Sequence, residues 1–213
     1  MKYCIVGMPR SRSSLLLEKI QLHYNIPILG EDIGQLTHRH GDEYLTRLKT
    51  LLDNNSKKES GVMRLHPLQM VSVAPFTVLN FDWFNFNQYN KIYFTFRESI
   101  SDNIASNFIA TKLNKFTYKS EDEIVKGIDP FYFSEADHWH VRDYIRSIKV
   151  IDLLKEYFNK QGISSQDLYY NDIPKYVKRF QASTTHKETY YNYQTMISNY
   201  DSIIEIYKQQ IAP

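Results

Sequence analysis

Residues 2–24 read KYCIVGMPRSRSSLLLEKIQLHY, and this stretch decides the fold class. The first six, ending at Gly7, are a short apolar and β-branched run that stops at Gly-x-Pro, the pattern of a buried strand entering a tight turn. Behind the turn, Leu16, Leu17, Ile20 and Tyr24 recur at helical spacing, and Ser13 or Ser14 is placed to cap the free amides of that helix. Strand, polar loop and helix follow in that order, which is the opening unit of an α/β fold.

The rest of the chain repeats the alternation. Residues 26–30 (IPILG), 61–66 (GVMRLH) and 91–96 (KIYFTF) read as strands, each ending beside a polar or charged residue, and residues 168–170 (LYY) supply a fifth. Between and after them lie helical patterns: Tyr44, Leu45, Leu48, Leu51 and Leu52; Ile100, Ile104, Phe108, Ile109 and Leu113; Tyr144, Ile148, Ile151, Leu154 and Phe158. Residues 53–60 (DNNSKKES) read as a loop, and residues 193–207 as one single-faced helix. The expected architecture is a three-layer α/β domain spanning residues 1–213, with a P-loop-like parallel sheet of four to five strands, helices on both faces and a helical C-terminal half. In such sheets ligands bind outside the carboxyl ends of the strands. That edge receives the loop after Gly7, then Arg64 and His66, then Arg97.

Composition narrows the function classes. The 213 residues are 42% hydrophobic and 23% charged, an ordinary globular balance that excludes overall disorder. A net charge of +2 is far from the basic stripe with which duplex-binding proteins displace counterions, so no nucleic-acid partner is expected and any anion site must be local. The single cysteine, Cys4, forms no internal disulfide and supplies no cysteine-rich zinc site. No run approaches the roughly 18 apolar residues of a membrane span, and MKYCIVGMPR is too short in apolar residues for a signal peptide. The expected setting is the cytoplasm, with no membrane partner.

The loop Gly7-Met8-Pro9-Arg10-Ser11-Arg12-Ser13-Ser14-Leu15 sits where a P-loop sits. It keeps the first Gly and last Ser of G-x-x-x-x-G-K-[S/T], but Arg12 and Ser13 replace the second Gly and the Lys, which argues against an ordinary Mg-ATP site. A helix N-terminus, hydroxyls and two guanidinium groups remain, a set suited to a phosphate-like or sulfate-like oxyanion. The plainer alternative is a capped helix beside two solvated arginines.

The segment P-R-S-x-S-S-L at residues 9–15 resembles the 5′-phosphosulfate loop of the sulfotransferases, [K/R]-S-G-T-[S/T]-x-L. These enzymes use 3′-phosphoadenosine-5′-phosphosulfate as donor and release adenosine 3′,5′-bisphosphate, without a metal. The resemblance implies that Arg10 lies beside the bridging oxygen, that Ser11, Ser13, Ser14 and Leu15 complete the donor loop, and that Arg12 stands where the family has Gly. Residues 94–99 (FTFRES), followed by a helix holding Ser106, are similar to the family's R-D-P motif with its downstream Ser. By that match Arg97 and Ser106 bind the 3′-phosphate, against the plainer reading of Arg97 paired with Glu98. The R-L-H-P segment at residues 64–67 resembles the family's K-T-H segment, which makes His66 a candidate base, and Glu31 in the loop after the second strand is its rival. Residues 168–173 (LYYNDI) are similar to a late Y-E-D-L segment, and residues 199–201 fit the family's closing helix.

The implied function is transfer of a sulfuryl group to a hydroxyl or amine of a small-molecule or carbohydrate acceptor. Phe76, Phe81, Trp83, Phe84, Phe86 and Tyr89 form an aromatic stretch open to two roles, acceptor stacking or core, and Trp139 shares that ambiguity; core is the favoured expectation for both. His38 and His40 amount to no more than a partial metal site. A P-loop-type nucleotide kinase, and a non-catalytic nucleotide-binding protein of the same fold, are the alternatives carried forward.

Overall fold

In the computed structural model, residues 1–29, 41–73, 76–113, 129–180 and 193–212 are described. The frame is a five-stranded sheet in the order β2-β3-β1-β6-β7, formed by β1 (Lys2–Gly7), β2 (Ile28–Leu29), β3 (Gly61–Leu65), β6 (Lys91–Phe96) and β7 (Gln166–Tyr169). Every pairing in it is parallel. β1 lies in the middle, with Val6 opposite Leu65 of β3 and Phe94 of β6. All six of its residues are buried, as a parallel strand covered on both faces requires.

Side chains alternate between two cores with the period of a strand. Cys4, Val6, Met63, Leu65, Ile92 and Phe94 face one layer, where α2 (Gly41–Ser56) brings Leu48 and Leu52, and α4 (Trp139–Gln161) brings Val150, Ile151, Leu154 and Phe158. Tyr3, Ile5, Val62, Tyr93 and Leu168 face the other, against Leu15, Leu16 and Ile20 of α1 (Ser13–Tyr24) and Ile173 and Val177 of α5 (Ile173–Val177). A third cluster joins α3 (Ile100–Lys112) to α4 through Ile104, Phe108, Phe133 and Val141, with Tyr193, Ile197 and Ile203 from the C-terminal segment. The three-layer α/β arrangement expected from the strand–helix alternation is the observed one.

Several expectations are corrected. Helix α2 continues through residues read as a loop, ending at Ser56, because tertiary contacts satisfy its last turn: the Lys2 ammonium donates to the Ser56 carbonyl at 2.8 Å. The C-terminal helix is split into α6 (Tyr193–Met196) and α7 (Ser202–Ile211). Between them the backbone pairs with another segment, Phe131 N–H donating to Met196 and Ser198 N–H to Phe131 at 2.8 and 2.9 Å, while Asn199 bonds both polar groups of Phe133. An antiparallel hairpin, β4 (Val71–Val73) and β5 (Phe76–Val78), precedes two short 3-10 turns in the aromatic stretch. Phe81, Phe84 and Phe86 are buried there, and the Phe86 ring meets Phe158 edge-on at 5.0 Å, so these three build core. Among the described residues no helix is long and apolar enough to cross a membrane.

His140 packs against Phe108 and Phe133 of the third cluster, 2% exposed, its ring stacked 3.6 Å from Trp139 and its Nδ1 3.2 Å from the Asn107 amide nitrogen. Burial holds its pKa down at about 4, with Asp137 opposing and Lys112, itself paired to Asp137 at 2.9 Å, adding to the depression. The unfolded chain therefore binds more protons than the folded one between the ordinary His value of about 6.5 and the folded one. Stability is complete above that window and falls as the pH drops through it. Urea midpoints at pH 7 and pH 4.5 are expected to differ less for His140→Gln than for the native chain, and equal differences would remove His140 from the acid response.

Candidate functional site

The carboxyl edge of the sheet gathers the loop after β1, the ends of β3 and β6, and the residue following β7. Helix α1 starts here without the serine cap expected of Ser13 or Ser14: Arg12 occupies the capping position, with no side-chain bond to the first turn. Ser13 is already helical, and the Ser14 hydroxyl instead accepts from Arg64 Nη1 at the end of β3. A helix N-terminus with no side-chain cap carries a positive partial charge and amides suited to an anion.

Tertiary bonds hold the loop. Gly7 approaches α1 so closely that a Cβ on it would stand 2.6 Å from Ser13 Cβ and 2.9 Å from Thr95 Oγ1, a space only glycine fits. Met8 N–H donates to the Thr95 carbonyl at 3.1 Å, and the Ser11 and Thr95 hydroxyls are 2.7 Å apart. Ser11 is wholly buried, and both its N–H and its hydroxyl donate to the Met8 carbonyl. It therefore braces the loop. Leu15 likewise turns its side chain into the core. From the other side, Asn103 Nδ2 of α3 donates to the Pro9 carbonyl at 2.9 Å.

The arginines converge on this frame. Arg10 and Arg12 both adopt left-handed backbone, φ 59° and 61°, at a cost of about 1–2 kcal/mol for each non-glycine residue. Such strain is characteristic of sites that the surroundings over-determine. Arg10 Nε donates to Ser106 Oγ at 3.1 Å, joining the β1 loop to the helix after Arg97. Arg12, in the position where a glycine would sit without strain, is 9% exposed; its Cζ lies 3.6 Å from the Tyr170 ring centroid and its Nη1 donates to the Tyr170 carbonyl at 2.7 Å. Its side chain is thus packed inward.

Arg97 stands over the same Tyr170 ring at 4.3 Å and over Tyr193 at 5.1 Å. It is half-buried, and among the described residues it makes no hydrogen bond or ion pair. The plainer reading of an Arg97–Glu98 pair does not hold, since Glu98 accepts instead from the Asn171 N–H at 3.0 Å. Ser99, next in line, caps α3 by accepting from Asp102 N–H at 3.1 Å.

His66 ends β3 as the cap of a 3-10 turn, its Nδ1 accepting from Leu68 N–H at 3.1 Å while its own N–H donates to Gln69 Oε1 at 2.6 Å. His66 stays a candidate base beside Glu31, with its Nδ1 engaged at the start of the 3-10 turn. Glu31, His38 and His40 lie outside the described residues. Sequence reasoning missed the contributions of Thr95 and Asn103, and it read Tyr170 only as part of the fifth strand and of the segment similar to Y-E-D-L, whereas β7 ends at Tyr169 and leaves Tyr170 at the edge.

No protein-family model matches the chain, and no curated protein matches it. The site stands on its own geometry.

Gly7→Ala is expected to lower stability by about 1–3 kcal/mol, the usual cost of forcing atoms into a packed space. Urea denaturation reads this directly, and an unchanged midpoint would mean that the turn yields without holding the loop.

Proposed function

We propose that the chain is a sulfotransferase, moving a sulfuryl group from 3′-phosphoadenosine-5′-phosphosulfate to a hydroxyl or amine of a small-molecule or carbohydrate acceptor. The observation that carries this reading is the Arg10 to Ser106 bond at 3.1 Å. It draws the two motifs that resemble the family's 5′ and 3′ phosphate sites, some ninety residues apart in the chain, into one site. The half-buried Arg97, without a carboxylate partner among the described residues, supports it further.

In this reading the donor lies across the carboxyl edge of the sheet. Arg10 and the uncapped amides of α1 meet the 5′ end, where negative charge grows on the bridging oxygen as the S–O bond breaks. Arg97 and the neighbourhood of Ser106 take the 3′-phosphate, the group that separates this donor from ATP. The acceptor oxygen or nitrogen attacks sulfur in line and must lose a proton. His66 or Glu31, the two candidates the sequence offers, takes this proton. The absence of a P-loop lysine weighs against phosphoryl transfer from Mg-ATP.

A thermal-shift comparison tests the nucleotide class. Adenosine 3′,5′-bisphosphate at about a hundred times its dissociation constant should add roughly 2.7 kcal/mol of apparent stability, and ATP with Mg far less. The reverse preference indicates a kinase, and silence toward both a protein without this ligand. For catalysis, Arg10→Ala should slow turnover at least about a hundredfold, the typical loss on removing one preorganised donor of about 2.7–4 kcal/mol. A near-normal rate in that variant would place the chemistry elsewhere.

A further inference from the structure

Tyr170 occupies the centre of the cation cluster although nothing in the donor-loop pattern calls for it. Its backbone is fixed in two ways: its N–H donates to the Phe96 carbonyl at 2.8 Å, carrying the β6–β7 pairing to the residue before Arg97, and its carbonyl accepts from Arg12 Nη1 at 2.7 Å. Its ring then meets two guanidinium groups, Arg12 at 3.6 Å and Arg97 at 4.3 Å from the centroid.

Two like charges on one ring repel each other, and an aromatic face attracts each of them electrostatically. The arrangement brings together cations from two neighbouring strands of the sheet edge, one from the β1 loop and one from the end of β6. Placing both guanidinium groups within 4.3 Å of one ring centroid raises the local positive potential and favours a dianion near both. Arg12 is informative because of its backbone: at φ 61° glycine is unstrained, yet an arginine stands there with its side chain folded onto Tyr170 and only 9% exposed.

We propose that Tyr170 is a positioning residue whose ring sets Arg12 and Arg97 as one clamp for a phosphate-class or sulfate-class dianion. Under the function proposed above, that dianion is the 3′-phosphate of the nucleotide; the identity of the nucleotide rests on that reading, and the clamp does not. Arg12 thereby adds a third cation to a site otherwise built on Arg10 and Arg97.

The test measures dissociation constants by calorimetry for adenosine 3′,5′-bisphosphate, 5′-AMP and inorganic pyrophosphate, with melting temperatures of the unliganded proteins. Tyr170→Phe keeps the ring and should hold bisphosphate affinity within about twofold, whereas Tyr170→Leu should weaken it about tenfold or more and leave 5′-AMP within about twofold. Arg12→Gly should weaken the bisphosphate about tenfold while its melting temperature holds or rises, because strain is relieved. A purely structural tyrosine predicts a different pattern, equal losses for both nucleotides. The clamp is overturned if Tyr170→Leu binds the bisphosphate like the native chain, or if it loses both nucleotides alike. Should Tyr170→Leu not fold, Arg12→Gly decides: native affinity at native melting temperature overturns the clamp, and selective loss of the bisphosphate supports it. If the native chain binds neither nucleotide but binds pyrophosphate in a ring-dependent way, the nucleotide reading falls and the clamp stands. If it binds none of the three probes, both fall.

Discussion

Thr95 is the point on which the site depends. It is wholly buried near the end of β6, opposite Gly7 of β1, and its carbonyl and hydroxyl hold Met8 and Ser11 at 3.1 and 2.7 Å. The loop after β1 is thereby tied to the strand that leads into Arg97, and the two segments share one anchor. Gly7 is the complementary constraint, since any side chain there would collide with both Thr95 and Ser13. Two residues of small size thus set the separation of the guanidinium groups that follow them.

The consequence is a concentrated positive edge on a protein whose overall charge is only +2. Arg10, Arg12, Arg64 and Arg97 all reach this edge, through contacts with Ser106, Tyr170 and Ser14. The hydroxyls of Ser106 and Ser14, the Tyr170 carbonyl and the Tyr170 ring meet the guanidinium groups in these contacts. The nearby carboxylate of Glu98 is turned to the backbone of Asn171. A near-neutral chain thereby gathers four arginines at one edge of its sheet.

Much of the sheet was legible because parallel strands covered on both faces are short apolar runs bounded by turn residues. The limits of β1 and β6 coincide with their patterns, Lys2–Gly7 and Lys91–Phe96. The errors fall where tertiary contact overrides local preference. Asp53 to Ser56 are poor helix formers, yet the ammonium of Lys2 satisfies the end of α2 and the helix runs on. Residues 193–207 carry an unbroken helical pattern, yet Phe131 captures the backbone at Met196 and Ser198 and splits it. The serines of the loop resemble helix caps by composition, but a left-handed Arg12 displaces them from that position.

The sequence by itself determined the layered α/β class, the order of strand, loop and helix, and the candidate anion ligands Arg10, Arg12 and Arg97, because periodicity and residue chemistry are local properties written along the chain. Only the tertiary structure decided how those ligands meet. That Ser11 braces the loop, that His66 Nδ1 caps a 3-10 turn, and that the Tyr170 ring meets two arginines all depend on partners from 2 to 158 residues away. Hydrogen-bond direction and ring placement arise from packing in three dimensions, where residue spacing in one dimension carries no information about them.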